Sequence, residues 1–366
     1  MSSRYSPPLK PIHLTPNPPS PPSLLLRRPR YLYALLALLV LYLWHTFPVH
    51  RTSHVPIHDP SLIYRNVDWT RFAYSLYATN SAYLCNALMV YESLSRLGSK
   101  ADRVLFYPQG WDLEIESSTD RDSQLLVKAR DDFGVKLMPS EGEGMEFMAW
   151  SLTQYDRVLH LDSDITIFKH MDGLFMAPKT SVALVRSYRR LPTVKELASS
   201  FVFLEPSELE FQQLTISARS ELLGTAGGSS KVLNRFYGDS AMVLPHREYG
   251  LLSEEFRSEA HTAFLGNNME VWDPEKVLKQ ASLVRFSDEP LPKPWIMWPH
   301  KLIGEIMPKC KLGELGNDDC RNKKIWMELY DDFRKRRKVR AGPPSSRNPK
   351  GSTVSGCMCS ALSSCT

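Results

Sequence analysis

Between residues 70 and 335 the chain alternates short apolar runs with stretches of helical periodicity. The apolar runs predict strands at 72–78, 103–108, 135–138, 157–161, 181–186, 201–205, 241–244 and 282–286. The periodic stretches predict helices at 83–97, 121–133, 145–154 and 326–338. Strands that alternate with helices are typical of an α/β fold with a doubly wound, mostly parallel sheet. The pattern therefore predicts one α/β domain over residues 70–335.

A different hydrophobic pattern precedes this domain. Residues 31–49 read YLYALLALLVLYLWHTFPV, an uncharged run that follows Arg27, Arg28 and Arg30. At 1.5 Å per residue, about 19 residues span roughly 28 Å, close to the thickness of a bilayer core. The flanking arginines place the N-terminus in the cytoplasm. The sequence thus predicts one transmembrane helix and a single-pass type II membrane protein, with a disordered cytoplasmic tail over 1–30 and a stem over 50–69.

Two further features bear on the location. A cleaved signal peptide is the alternative to an anchor, but the leader is long and rich in proline, and no small-x-small site follows the apolar run. A short span suits the thin membranes of the early secretory pathway, so we expect the Golgi membrane, with the domain in the lumen. Cys310 and Cys320 flank a short polar loop and either close a disulfide in an oxidising lumen or remain free thiols.

The formal charge of +5 is unevenly distributed. Residues 1–30 carry +5 and residues 333–366 carry +8, which leaves −8 on residues 31–332. A mildly acidic central domain argues against nucleic acid as a partner, and it needs a cation or a local basic clamp to hold an anionic nucleotide. Residues 336–366 are predicted to be a disordered basic tail, and the run RKRRKVR at 334–340 a solvated end of the last helix.

The most informative segment is YDRVLHLDSDITIF, in which a hydrophobic strand is followed by Asp162 and Asp164. Open α/β sheets bind ligands at the carboxyl ends of their strands. Two carboxylates one residue apart can reach one hard divalent ion, which would bridge the phosphates of a nucleotide diphosphate and stabilise the leaving group. The alternative is a pair of solvated aspartates in a surface turn.

Several segments in a fixed order extend this pattern. They are YATNSAYLCNALMV, WSLTQYDRVLHLDSDITIFKHMDGLF, FVFLEPSELEF, YGDSAMVLPHREYGLLSEEFRSEAH, EVWDPEKVL, FSDEPLPKPW and IWMELYDDFRKRRK. With them the chain resembles family 8 of the glycosyltransferases, the glycogenin-like family, over residues 71–335. It is most similar to the fungal membrane-anchored branch, described as N-acetylglucosaminyltransferases. The resemblance implies a GT-A fold, a UDP-sugar donor, manganese, and retaining transfer to a lumenal glycan or glycoprotein.

The resemblance also implies roles for individual residues. Thr79, Asn80 and Tyr83 would lie at the end of the first strand against uracil and ribose, where a polar strand end and a tyrosine ring offer hydrogen bonds and a stacking face. Asp162 and Asp164 would take the metal and ribose roles.

Two residues of later segments join this set. Lys293, between Pro292 and Pro294, matches a lysine that holds the diphosphate in the family, and a lysine suits phosphate as a point charge. Asp239, in the GDSA segment, is a candidate contact to an acceptor or donor hydroxyl, and its alternative is a carboxylate that caps a helix or a turn.

Three positions depart from the family pattern. Arg285 stands where the family has a histidine as its third metal ligand. An arginine repels a cation, but it could neutralise the diphosphate directly and make the metal weaker or dispensable. Ser229 lies in a segment where the family carries an acidic residue, and Glu146 stands in place of a lysine. These departures support a second hypothesis: a catalytically weakened or inactive GT-A-like binding or partner protein.

Overall fold

The computed structural model describes Leu39, Tyr64 and residues 66–111, 120–141, 144–190, 195–222, 228–296, 298–312 and 318–338. The predicted anchor at 31–49, apart from Leu39, lies outside the described residues, as do the predicted tail at 1–30 and residues beyond 338. No helix within the described residues is both long and apolar enough to cross a membrane. The chain divides into two units, Met1–Val67 and Asp68–Thr366, and the elements below belong to the second.

The strands are β1 (Phe72–Tyr77), β2 (Asp102–Pro108), β3 (Val135–Ser140), β4 (Arg157–Leu161), β5 (Ile165–Ile167), β6 (Val182–Arg186), β7 (Leu197–Leu204), β8 (Met242–Leu244), β9 (Leu251–Leu252), β10 (Leu283–Arg285), β11 (Lys311–Leu312) and β12 (Asp318–Asp319). The α-helices are α1 (Ser81–Arg96), α2 (Arg121–Phe133), α3 (Glu208–Leu222), α4 (Ser229–Tyr237), α5 (His246–Tyr249), α6 (Thr262–Leu265), α7 (Pro274–Gln280), α8 (His300–Ile306) and α9 (Arg321–Lys338). Short 3₁₀ helices cover Trp69–Arg71, Met145–Ser151, Asp172–Met176, Tyr188–Arg190 and Ser253–Arg257.

The main sheet has seven strands in the order β3-β2-β1-β4-β7-β6-β8. Strands β1 to β4 are mutually parallel, β7 runs antiparallel to both β4 and β6, and β8 is parallel to β6. The predicted mixed α/β architecture with a mostly parallel sheet is therefore confirmed. The strand order reverses between β1 and β4, and such a reversal opens a crevice at the carboxyl edge of a sheet, where ligands bind.

A small second sheet lies directly after this edge. Its order is β5-β10-β9, with β10 antiparallel to β5 and parallel to β9. Only Asp162, Ser163 and Asp164 separate the end of β4 from the start of β5, so the aspartate turn joins the two sheets. A disulfide between Cys310 and Cys320 closes the β11-β12 hairpin, with the two Cα atoms 4.3 Å apart. Of the two sequence-based alternatives for these cysteines, the bonded one is found.

The helix predicted at 145–154 is instead a 3₁₀ helix, Met145–Ser151. It begins after Gly144, whose φ of +96° is unfavourable for other residues. In a 3₁₀ helix, side chains three residues apart lie on the same face, and here Phe147 and Trp150 are both buried in the core. The tighter turn eclipses these two rings on the buried face, with their centroids 6.2 Å apart.

The last helix corrects the prediction for the basic run. Helix α9 extends to Lys338, three residues beyond the predicted end of the domain at 335, and it buries Trp326, Tyr330 and Phe333. Arg337 is 5% exposed, and its Nη1 donates to the carbonyl of Ala82 at 3.1 Å. The predicted solvated helix end is therefore wrong for Arg337, which packs against the first turn of α1, whereas Lys335 is exposed.

His160, in the middle of β4, makes the fold sensitive to acid. It is buried, its Nδ1 lies 2.9 Å from the Oγ of Ser75, and burial lowers its pKa from 6.5 to about 4. Between these two values the unfolded chain binds a proton that the folded chain does not, so stability is lost as the pH falls. Urea titrations of the wild type and His160→Gln give the difference between their free energies of unfolding at each pH. We expect this difference to change by about 2 kcal/mol, to the disadvantage of the wild type, between roughly pH 7 and pH 4.5. A difference that does not change with pH would exclude this role for His160.

Candidate active site

The backbone of the aspartate turn is held by both sheets. The Asp162 amide donates to the carbonyl of Ser200 at 3.0 Å, which continues the hydrogen bonding of β4 with β7. The Asp164 carbonyl accepts from the Phe286 amide at 3.0 Å, which continues the pairing of β5 with β10. The turn therefore lies at the carboxyl edge of β4, as the sequence predicts. Its hydrogen bonds fix the backbone from which the two carboxylate side chains extend.

Arg285 is brought to these carboxylates by strand register. It pairs with Ile165 in the β5-β10 ladder, one residue from Asp164. Its Nε lies 3.4 Å from Asp164 Oδ1, and its Nη2 lies 3.5 Å from Asp162 Oδ2. The side chain of Asp164 is 6% exposed and that of Arg285 is 34% exposed. One guanidinium therefore pairs with both carboxylates and still reaches solvent.

Lys293 supplies a second positive charge from the loop that follows β10. Its Nζ lies 2.5 Å from Asp164 Oδ2 and donates to the Phe286 carbonyl at 2.9 Å. The loop itself is fixed at two carbonyls: Trp298 Nε1 donates to Pro292 at 2.8 Å, and Arg334 Nε donates to Pro294 at 3.1 Å. The prediction that Lys293 belongs to this site is consistent with its position.

The electrostatics of the site follow from burial and from like charge. Burial and the Asp164 carboxylate raise the pKa of Asp162, and Arg285 and Lys293 oppose this increase. Burial, Asp162 and Glu146 raise the pKa of Tyr77, and burial, Asp164 and Asp162 raise that of Tyr83. Both phenols therefore stay protonated near the carboxylates and can donate hydrogen bonds.

Tyr77 is a site residue that the sequence analysis missed. It is the last residue of β1, the strand next to β4, and therefore lies at the carboxyl edge of the sheet. The predicted end of this strand is the sequence signal that could have identified it. Glu146, which departs from the family pattern, contributes negative charge near the same hydroxyl.

The three residues predicted to contact the base and ribose do not share one environment. Asn80 is the N-cap of α1, and its Oδ1 accepts from the amides of Ala82 and Tyr83 at 3.0 and 3.2 Å. Thr79 and Asn80 are exposed. Tyr83 is half-buried near the aspartates and packs edge-on against Trp295, with ring centroids 5.6 Å apart. Trp295 thus packs against the tyrosine, and the Tyr83 hydroxyl lies near the carboxylates.

Asp239 and Ser229 belong to segments next to the β7-β6-β8 half of the main sheet. Asp239 is exposed in the turn between α4 and β8, and β8 is three strand positions from β4, a lateral distance of about 14 Å. Among the described contacts, none joins Asp239 to the aspartate turn, and its role stays a prediction. Ser229 is the first residue of α4.

The predicted manganese site does not fit these side chains. A hard divalent ion needs several oxygen ligands at 2.0 to about 2.6 Å, but both carboxylates already pair with Arg285, and Asp164 also pairs with Lys293. The described residues contain no group of three or more His, Cys, Asp and Glu side chains that could hold a metal ion. The arrangement instead offers two cationic side chains, backed by carboxylates, to an anion such as a diphosphate.

Comparison with known proteins gives close relatives. No protein-family profile matches the sequence. The chain is 46% identical over 339 residues to glucose N-acetyltransferase 1 of Aspergillus fumigatus, which covers 86% of this chain and 87% of the relative. It is 41% identical over 284 residues to glucose N-acetyltransferase 1 of Gibberella zeae, covering 73% of this chain and 62% of that protein.

Among solved structures, the glycosyltransferase GlyE of Streptococcus pneumoniae is similar with a TM-score of 0.48 and 15% identity. The match covers 71% of this chain and 60% of GlyE. The chain therefore spans less than two thirds of the length of both the Gibberella relative and GlyE.

Proposed function

The chain belongs to the glucose N-acetyltransferase 1 family, and from this premise we propose that it transfers N-acetylglucosamine from a UDP-sugar to a glycan acceptor. The resemblance to fungal N-acetylglucosaminyltransferases that the sequence motifs indicate is confirmed by these relatives, whereas the number of the glycosyltransferase family stays a prediction. The GT-A assignment is supported by the parallel β3-β2-β1-β4 half of the sheet and by the acidic turn beside the place where the strand order reverses.

The observation that carries the proposal is the group of four charged side chains, Asp162, Asp164, Arg285 and Lys293. They lie beside the crevice where the strand order reverses. Arginine and lysine form short, charge-assisted hydrogen bonds with phosphate oxygens. Tyr83, near the same carboxylates and next to the start of α1, offers a ring face on which a base can stack.

The reaction breaks the bond between the anomeric carbon of the sugar and the β-phosphate oxygen, and its electron pair remains on the released UDP. The acceptor hydroxyl oxygen bonds to the same carbon, and its proton passes to the phosphate oxygen of the departing UDP. Negative charge grows on the departing diphosphate, so fixed positive groups at that position lower the barrier. Retention at the anomeric carbon is proposed from the family resemblance, and Asp239 is kept as a candidate contact to a sugar hydroxyl.

We propose that the domain at residues 70–335 lies in the Golgi lumen and is attached to the membrane by a type II anchor at residues 31–49. Two observations support it. The uncharged run at 31–49 follows three arginines. The disulfide between Cys310 and Cys320 belongs to a type of bond that persists in oxidising compartments.

The proposal is tested by incubating the purified full-length protein with UDP-N-acetylglucosamine, UDP-glucose and UDP-galactose, each with and without mannose-, glucose- and galactose-terminated oligosaccharides. With UDP-N-acetylglucosamine and a suitable oligosaccharide we expect release of UDP and a product heavier by one N-acetylglucosamine residue. Binding of UDP with no turnover of any donor would favour the second hypothesis, a binding or partner protein without catalysis. The absence of both binding and turnover would contradict the nucleotide-sugar site itself.

A further inference from the structure

A positively charged side chain pairs with both of the aspartates that a bound cation would need as ligands. Arg285 is within 3.5 Å of Asp162 and within 3.4 Å of Asp164. We infer that Arg285, together with Lys293, supplies the positive charge for the diphosphate from the protein itself, so that donor binding and transfer proceed without a divalent cation. This inference rests on the proposed function.

The backbone position of Arg285 is fixed. It is the last residue of β10, the central strand of the small sheet, and it pairs with Ile165 on one side and Leu252 on the other. The next peptide, at Phe286, is bonded to the Asp164 carbonyl at 3.0 Å. The guanidinium therefore starts from a rigid site beside the carboxylates, and binding of a cation would require the arginine side chain to move.

A cation and this guanidinium compete for the same oxygens. A divalent ion bound to both carboxylates would approach them to 2.0 to about 2.6 Å. Its charge would then lie within several ångströms of the guanidinium carbon, in a partly buried site where repulsion between charges is weakly screened. Two aspartates, one arginine and one lysine already sum to zero charge, so the carboxylates need no external cation to balance them.

The guanidinium keeps donors for a ligand. Its Nε and Nη2 are near the carboxylates, and among the described contacts its Nη1 has no hydrogen-bond partner. The side chain is 34% exposed, and that of Lys293 is 37% exposed. A planar guanidinium can offer two parallel N–H groups to phosphate oxygens, and Lys293 has a third N–H beyond the two oxygens it contacts.

The test compares UDP binding by the wild type and Arg285→His, both as full-length proteins, in EDTA and in MnCl₂, by isothermal titration calorimetry. For the wild type we expect Kd values that agree within about twofold in the two buffers, because its charge-assisted hydrogen bonds come from the protein. For Arg285→His we expect Kd in EDTA to rise about tenfold or more, and manganese to restore binding. Paramagnetic resonance of free Mn²⁺ should show tighter manganese binding by Arg285→His than by the wild type.

Arg130→His, at an exposed position of α2, controls for an added surface imidazole and should behave as the wild type does. Arg285→Lys keeps the positive charge but lacks the paired N–H donors of the guanidinium. This variant should bind UDP in EDTA more weakly than the wild type, and manganese should not change its affinity. Loss of wild-type UDP binding in EDTA, with recovery in manganese, would overturn the inference and leave the proposed function in place. Failure of the wild type to bind UDP in either buffer would instead overturn the proposed function.

Discussion

Replacement of Lys293 by alanine is expected to lower kcat for sugar transfer by about 10²–10³-fold, the usual cost of removing one fixed donor to a developing negative charge. The ammonium lies 2.5 Å from Asp164 and is 37% exposed, so it can reach a bound diphosphate without a change in the fold. Its loss should affect the transition state, where charge on the leaving UDP is greatest, more than the bound substrate. Steady-state kinetics with UDP-N-acetylglucosamine give kcat and KM separately.

Lys301→Ala is the matched control for Lys293→Ala. Lys301 is an exposed lysine of α8, eight positions along the chain, and the variant should retain the wild-type kcat. Lys301→Ala should unfold at the same urea concentration as the wild type, and both variants should remain folded under the assay conditions. A Lys293→Ala protein that folds and turns over at the wild-type rate would show that Lys293 is not part of the catalytic site.

Asp288→Ala is expected to lower the free energy of unfolding by about 3–5 kcal/mol, because it removes the acid of a buried charge pair. Asp288 is 4% exposed. Its carboxylate accepts from Trp326 Nε1 at 3.0 Å and from the Tyr330 hydroxyl at 2.6 Å, and it pairs with Arg257 Nη1 at 3.2 Å. The buried Ser253 Oγ also donates to this carboxylate, so four donors lose their acceptor in the variant. Urea denaturation followed by tryptophan fluorescence measures the cost.

The same carboxylate connects α9 to the segment that carries the site. Asp288 lies between Arg285 and Lys293 in sequence, so its bonds to α9 hold the start of the lysine loop. Asp331→Ala, at an exposed position of the same helix, should change the free energy of unfolding by less than about 0.5 kcal/mol. Equal stability of the Asp288 and Asp331 variants would contradict the structural role of Asp288.

Local sequence patterns were sufficient to predict the strands of the main sheet and the position of the aspartate turn. A buried strand that ends in two carboxylates has one direction and one edge, so the position of Asp162 and Asp164 follows from β4 alone. Helix α2 is found at 121–133, as predicted, because Asp120 caps its start and Gly134, with a φ of +63°, ends it.

Long-range pairing accounts for what the sequence could not provide. The sequence indicates that Arg285 replaces a metal ligand, but only the register of β10 against β5 shows that its guanidinium pairs with both aspartates. Arg337 has the same explanation, because a basic run looks solvated until α9 is packed on α1. Tyr77 ends β1, but only the pairing of β1 with β4 shows that this strand end lies beside the aspartate turn.

The proposed function requires that the aspartate turn, Arg285 and Lys293 form the diphosphate site. A crystal structure of the full-length protein bound to UDP tests this directly. We expect the β-phosphate oxygens within hydrogen-bonding distance of the Arg285 guanidinium and the Lys293 ammonium, with the uracil near Tyr83. A uridine nucleotide bound elsewhere, with the four charged side chains still paired only with one another, would contradict it.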